Sequence, residues 1–305
     1  MITPSLARML AQEHLYNPIK GEVLTLGKQW IPMTHDEAVS VLREAGITIS
    51  QAVIDEAQSQ SEATTRYSEK GHISDQHFYK LLGVEGNVTS MDVTDYEGCD
   101  IIHDLNLPIP DNLKGKYDFV IDGGTFDHLM NTKVCFANVV ELLKPTGRVF
   151  QWNAASNFTG CAYLSFGPDL FYDFFTLNNF KDCKVYIADG YTIDQAIDWD
   201  MYFYDKPTDY AHFISPRMQM VIVIAERQAS TTSHKIPIQY QYRTPEYDAT
   251  EYKVSRDSSD ASARPILKGT DSDFFERHPE RLGVPPLENT PTPPPHKGFR
   301  YVGKL

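Results

Sequence analysis

The sequence predicts a doubly wound α/β fold, with a mostly parallel seven-stranded sheet and helices on both faces. Three observations point there. Short apolar runs alternate with segments of helical periodicity from residue 21 to residue 226. The run Tyr117, Phe119, Val120 and Ile121 is almost continuously apolar, as expected of a strand buried on both faces. It ends in Asp122, Gly123 and Gly124, and the carboxyl ends of strands are where open α/β sheets bind ligands.

The elements follow in order. Thr3 before Pro4 is a helix start, a hydroxyl cap with proline in the first turn, and Leu6, Met9 and Leu10 supply one apolar face. This helix is expected to cover the edge of the sheet. Residues 21–27 read as the first strand and its exit turn. Thr34, three residues before Glu37, forms a capping box for a helix through about Ala45, ended by Gly46. Ser74 caps a shorter helix carrying Phe78, Leu81 and Leu82, and strands are expected near 87–92 and 100–104. After the strand at 117–122, a helix over about 132–143 buries Cys135, Val139, Leu142 and Leu143, then stops at Lys144-Pro145-Thr146-Gly147. Strands at Arg148–Trp152, Lys184–Ala188 and Met218–Glu226 complete the seven. Parallel neighbours need crossovers, and the alternating helices supply them.

Two regions break the alternation. Tyr191 to Pro216 is an aromatic and polar insertion holding Trp199, Tyr202, Phe203, Tyr204, Tyr210 and His212. It reads either as the wall of a substrate pocket or as a surface loop packed by its own aromatics. Beyond Glu226 the composition shifts to Ser, Thr, Asp and Pro, and Pro285 to Pro295 holds six prolines. Ile236, Ile238, Tyr240 and Tyr242 alternate as an edge strand would, and Asp273-Phe274-Phe275-Glu276 offers a second anchor. The expected organisation is an N-terminal helix over 1–20, an α/β domain over 21–227 and a Pro-rich extension over 228–305.

Composition narrows the partners. A formal charge of −13 repels nucleic acid and anionic membrane over most of the surface. Cys99, Cys135, Cys161 and Cys183 form no C-x-x-C pair, which suggests reduced thiols in a cytosolic setting. No stretch approaches the roughly 18 apolar residues that span a bilayer, and the start lacks a signal-peptide pattern, so a soluble, cytoplasmic protein is expected. His72 and His77 are five apart, His103, His128 and His212 are scattered, and no metal-ligand spacing occurs, so no metal is expected. The missing G-x-G-x-x-G argues against a dinucleotide dehydrogenase, the missing G-x-x-x-x-G-K-[ST] against a P-loop NTPase, and Ser156 and Ser165 lack a G-x-S-x-G elbow.

The set Gly21–Gly27, Met91-Asp92-Val93, Ile102-His103-Asp104-Leu105, Tyr117–His128 and Leu142–Val149 resembles the ordered motifs of class I S-adenosylmethionine-dependent methyltransferases, a Rossmann-like family. The likeness covers about residues 20 to 227. It implies S-adenosylmethionine as cofactor, with Gly27, Lys28 and Gln29 near its methionine part. Asp92, with Val93, would hold the ribose hydroxyls, and Asp104 and Leu105 would flank the adenine. Asp122, Gly123 and Gly124 would admit its reactive end. Independently of the family, a carboxylate at Asp92 can accept two hydrogen bonds from a diol. The first turn departs from the family pattern, with the single glycine Gly27 before Lys28-Gln29-Trp30.

His128 is the candidate general base, since an imidazole of ordinary pKa is largely neutral at pH 7. The other reading, a histidine that shapes its loop through the backbone, stays open. Asn153, Tyr210 and His212 are the candidate acceptor-binding residues. The implied activity is methyl transfer to an oxygen or nitrogen of a small molecule, and a non-catalytic scaffold with the same fold is the competing class. A homo-oligomer is compatible with either.

Overall fold

A computed structural model describes residues 1–59, 71–190, 199–204, 213–251 and 299–304. The helices are α1 (Pro4–Tyr16), α2 (His35–Glu44), α3 (Gln51–Ser59), α4 (Asp75–Leu82), α5 (Thr132–Leu142), α6 (Pro168–Leu177) and α7 (Pro245–Glu251). The strands are β1 (Lys20–Leu26), β2 (Glu85–Asp92), β3 (Ile101–Ile102), β4 (Tyr117–Gly123), β5 (Leu143–Ser156), β6 (Lys181–Gly190), β7 (Asp200–Tyr204), β8 (Met218–Glu226) and β9 (Phe299–Lys304).

All nine strands form one sheet in the order β3-β2-β1-β4-β5-β8-β6-β7-β9. The pairs from β3 to β5 are parallel, and those from β5 to β9 are antiparallel. The sheet is therefore mixed and nine-stranded, where seven mostly parallel strands are expected from the sequence. The difference lies in β7 and β9. β7 runs through the aromatic insertion and β9 returns from the C-terminal extension, each by antiparallel pairing that needs no crossover helix.

Helices lie on both faces, as expected. On one face α1, α2 and α4 cover Val23, Phe119, Ile121, Phe150 and Trp152. On the other, the Phe136 ring of α5 and the Phe171, Phe174 and Phe175 rings of α6 cover Leu24, Val120, Val149, Val221 and Val223. Alternation along β4 and β5 sorts these side chains between the faces. Chain order reverses at β1, which pairs with β2 on one side and β4 on the other. That reversal opens a crevice at the carboxyl ends of β1 and β4, the general ligand position of such sheets.

The capping signals act as read. The Thr34 hydroxyl accepts from the Glu37 amide while the Glu37 carboxylate accepts from the Thr34 amide, and Ser74 caps α4 through the His77 amide. Helix α1 begins at the Thr3 cap but lies over the central strands, not at the edge. Its Glu13, fully buried, pairs with Arg148 of β5, whose guanidinium also donates to the Asn17 and Pro18 carbonyls at 2.8 and 3.2 Å. At the β1–β2 contact Gly86 is obligatory, because its φ is +139° and a Cβ there would meet the Gly21 carbonyl oxygen at 2.0 Å.

Other expectations change in detail. The strand near 100–104 shortens to β3, and Leu143, expected in a helix, begins β5 and pairs with Tyr117. Helices α3 and α6 were not anticipated. Residues 236–242 form no strand; Ile236, Ile238 and Tyr242 are exposed, and Tyr240–Tyr242 is a single 3-10 turn. Asp273–Glu276 and the proline run lie outside the described residues. Among the described residues no helix is long and apolar enough to cross a membrane.

Candidate functional site

The crevice between β1 and β4 is built from strand ends. β1 ends at Leu26 beside Met91 and Asp122, so Gly27, Asp92 and Gly123 emerge together at one edge of the sheet. Gly27 turns the chain with φ +74°, and its amide donates to the Met91 carbonyl at 2.7 Å. A Cβ on Gly27 would lie 3.1 Å from Thr125 Oγ1 and 3.8 Å from Asp92 Oδ2, so the turn, the acid and the threonine share one small space. Asp92 Oδ1 accepts from the Val93 amide at 2.6 Å, which leaves Oδ2 on the Gly27 side.

Gln29 does the work that further glycines would do in a longer loop. Its Nε2 donates to the Leu26 and Gly27 carbonyls at 3.0 and 3.1 Å, which closes the turn from within. A Cβ on Gly123 would lie 1.8 Å from Gln29 Oε1, so a side chain there would require Gln29 to leave its present position. Between them sits the Met1 amino group, donating to Gln29 Oε1 at 2.9 Å and to the Gly123 carbonyl at 3.1 Å. Burial pushes this amine down to about 6, against the attraction of Asp122 and Asp127. The Met1 carbonyl in turn accepts from Trp152 Nε1 at 3.0 Å. Trp152 is thus buried on the α1 face.

Behind the crevice lies a buried polar cluster. Asp122, fully buried, accepts from the Thr125 amide at 2.8 Å through Oδ1 and from Gln151 and Asn153 at 3.0 and 2.8 Å through Oδ2. Burial lifts its carboxyl to about 6 although those three hydrogen bonds oppose the shift. Asp127 is also raised, mainly by burial, and its Oδ1 has no hydrogen-bond partner. Its carbonyl accepts from the Tyr163 and Leu164 amides at 2.9 and 3.0 Å, which ties the turn after β4 to the segment after β5.

The sequence-derived candidates divide. Gly27, Gln29, Asp92, Asp122 and Gly123 come together, with Gly124 following at φ +88°. Lys28 points its ammonium to the Gly98 carbonyl at 3.3 Å, and Val93 is exposed at the rim. Asp104 is held by the amide and side chain of Asn106, both at 2.9 Å, hydrogen bonds that lower its pKa. Leu105 is packed into the core beneath α5, with its carbonyl accepting from Asn138. His128 is exposed in the 3-10 turn Phe126–His128, its amide donating to the Thr125 carbonyl at 3.0 Å. Asn153 is fully buried, while Tyr210 and His212 lie outside the described residues. Thr125 and Gln151 escaped the sequence reading. Thr125 Oγ1 donates to the Leu26 carbonyl at 2.7 Å, and no local pattern marks such a tertiary bond. Among the described residues no group of three or more His, Cys, Asp or Glu side chains is placed to hold a metal ion.

No family model and no curated protein matches the chain. Several solved structures are similar to it. A phosphoethanolamine N-methyltransferase from Haemonchus contortus is 10% identical over 72% of this chain and 52% of its own, with a TM-score of 0.37. A methyltransferase from Thermotoga maritima is 12% identical over 73% and 89%, TM-score 0.36. A structure named for zinc-dependent alcohol dehydrogenases, from Rhodobacter sphaeroides, is 15% identical over 48% and 46%, TM-score 0.26. The chain thus spans about half the length of two of these three. Likenesses this distant carry no activity across, so the fold rests on the chain's own strand order and its function on the crevice.

Proposed function

We propose that the protein is an S-adenosylmethionine-dependent methyltransferase acting on a small-molecule acceptor. The observation that carries this reading is the lining of the switch-point crevice: a carboxylate at Asp92 on one side, and the Gln29 and Gly123 oxygens accepting from the Met1 amine on the other. S-adenosylmethionine offers a ribose diol and an amino-acid ammonium, and these two groups match the two ends of that lining. The Met1 amine is a stand-in for the second. Bound there, the cofactor would supply an electrophilic methyl group.

The chain's own residues supply the rest. Asp92 Oδ2 would accept from the diol, and Gln29 Oε1 with the Gly123 carbonyl would orient the ammonium. In this reading His128, exposed beside the buried Asp127, would take a proton from the acceptor. The catalytic unit in this reading is residues 21–227, with the 1–20 segment covering it and 228–305 as an extension.

One observation favours the competing reading of a non-catalytic scaffold. The Met1 amine and Gln29 already satisfy each other in the crevice, so a cofactor ammonium at Gln29 would have to displace the Met1 amine. Calorimetric titration with S-adenosylmethionine separates the two, and no heat and no thermal shift at millimolar cofactor would leave the scaffold reading. Asp92→Ala is expected to weaken binding at least tenfold, on the scale of charge-assisted hydrogen bonds of about 1.5–3 kcal/mol. His128→Ala is expected to keep cofactor affinity and lower kcat by about 10²-fold or more, and unchanged turnover would remove it as the base.

A further inference from the structure

The face of the sheet beneath α5 and α6 is apolar over its middle and polar at strand ends: Asp122, Gln151 and Asn153, each fully buried, stand at the carboxyl ends of β4 and β5, with Asp189 and Gln219 on β6 and β8. Both carboxamides turn their NH2 groups to Asp122 Oδ2, and this fixes their orientation, because reversing either would set an amide oxygen against the carboxylate. The carbonyl oxygens Gln151 Oε1 and Asn153 Oδ1 are left buried without a partner, as is Asp127 Oδ1 close by. Three orphaned acceptors in one buried cluster are unusual, since each costs of order 1–3 kcal/mol if never satisfied. No orphaned donor of Asp122, Asp127, Gln151 or Asn153 accompanies them.

The charged side chains of the cluster itself are both acids, and the basic groups that act on them are the Met1 amine and His128. Asp122 and Asp127 are both acids, and neither they nor Gln151 or Asn153 makes a hydrogen bond or ion pair with a lysine or arginine among the described residues. An anionic ligand would meet two acids and no unengaged donor on the four side chains of the cluster. A ligand bearing N–H groups would find three free acceptors, with carboxylates behind them to favour positive charge.

We propose that Gln151 and Asn153, backed by Asp122 and flanked by Asp127, form a recognition site for an amine, so that the small molecule taken by this protein carries an N–H-bearing nitrogen and not a carboxylate or phosphate as its anchoring group. The site adjoins the crevice, and it names the acceptor class only insofar as the methyltransferase reading holds. The preference for amines is a property of the cluster itself.

The test uses the full chain and matched probe pairs: n-butylamine and butyrate, benzylamine and benzoate, tryptamine and indoleacetate. Binding is read by calorimetry and thermal shift, without turnover. At least one amine is expected to bind at least tenfold more tightly than its carboxylate partner. Asn153→Leu, which removes one free carbonyl but leaves Gln151 on Asp122, is expected to weaken that amine about tenfold while S-adenosylmethionine binding stays unchanged. Gln151→Met serves the same purpose where Asn153→Leu does not fold. Equal binding of amine and carboxylate, binding of no amine, or full amine affinity in both variants would overturn the proposal and leave the orphaned oxygens to buried water. Cofactor binding without amine preference sinks this inference alone, and amine preference without cofactor binding sinks the methyltransferase reading alone.

Discussion

His77 is buried at the start of α4, and its Nε2 lies 2.8 Å from Nδ1 of His35, the first residue of α2. Burial, helped by His35, pushes its pKa down to about 4 from the ordinary 6.5. The imidazole is therefore neutral in the fold while the unfolded chain protonates near 6.5. Stability is unaffected above that pH and falls as pH drops from about 6.5 to about 4, by on the order of 3 kcal/mol in full. Asp122, raised to about 6, acts in the opposite sense, since the fold holds its proton up to a higher pH than the unfolded chain does. The comparison that isolates His77 is His77→Gln against wild type in urea melts at pH 7.5 and 4.5. The variant is expected to lose less stability between the two pH values than the wild type does. Residues such as His77 and Gln151 were illegible as site or switch from the sequence, because their meaning lies in partners 42 and 29 residues away.

At the scale of elements, the buried Arg148–Glu13 pair clamps α1 onto β5. The guanidinium also lies over the Phe119 ring, 4.9 Å from its centroid, so β4, β5 and α1 meet at this one side chain. Arg148→Met would take the guanidinium away from the buried Glu13 carboxylate, a loss of about 3–5 kcal/mol. Adding Glu13→Leu is expected to recover most of that loss, measured by chemical denaturation of the single and double variants. The local grammar of elements was readable: Thr3-Pro4, the Thr34/Glu37 box and Ser74 each start a helix where expected, and β8 spans the residues its apolar run marks. Position in space was not readable. Helix α1 shows its apolar residues in sequence, but nothing there says that Glu13 is fully buried because Arg148 awaits it on β5.

At the scale of the molecule, the candidate crevice and the C-terminal strand β9 stand at different parts of one sheet. β9 is five strands from β4 in the order given above, about 24 Å at ~4.8 Å per strand. It covers β7 through paired backbone and through ring contacts of Tyr301 with Tyr202 and Phe299 with Tyr204. Ending the chain after residue 251 is therefore expected to speed amide exchange in β7 while leaving β1, β4 and ligand binding at the crevice intact. Loss of binding in that truncation would show that the extension reaches the site. The parallel half of the sheet was legible because βαβ alternation is a strong pattern. The antiparallel half was legible only at β6 and β8, since β7 hides among aromatics that read equally well as loop packing.

The division of the sheet also sets an order of assembly. β6, β7 and β8 follow one another within 46 residues, from Lys181 to Glu226, so these three strands close only short loops as they pair with one another. β1 pairs with β4 across a far longer stretch; the Glu22 amide reaches the Asp118 carboxylate at 2.8 Å from 96 residues away. Loop-closure entropy delays such contacts. The crevice between β1 and β4 accordingly closes late in folding, as does the β7–β9 pair, whose Asp200 and Lys304 lie at least as far apart in sequence, and a ligand that bridges the crevice would act as a staple on one of the slow steps.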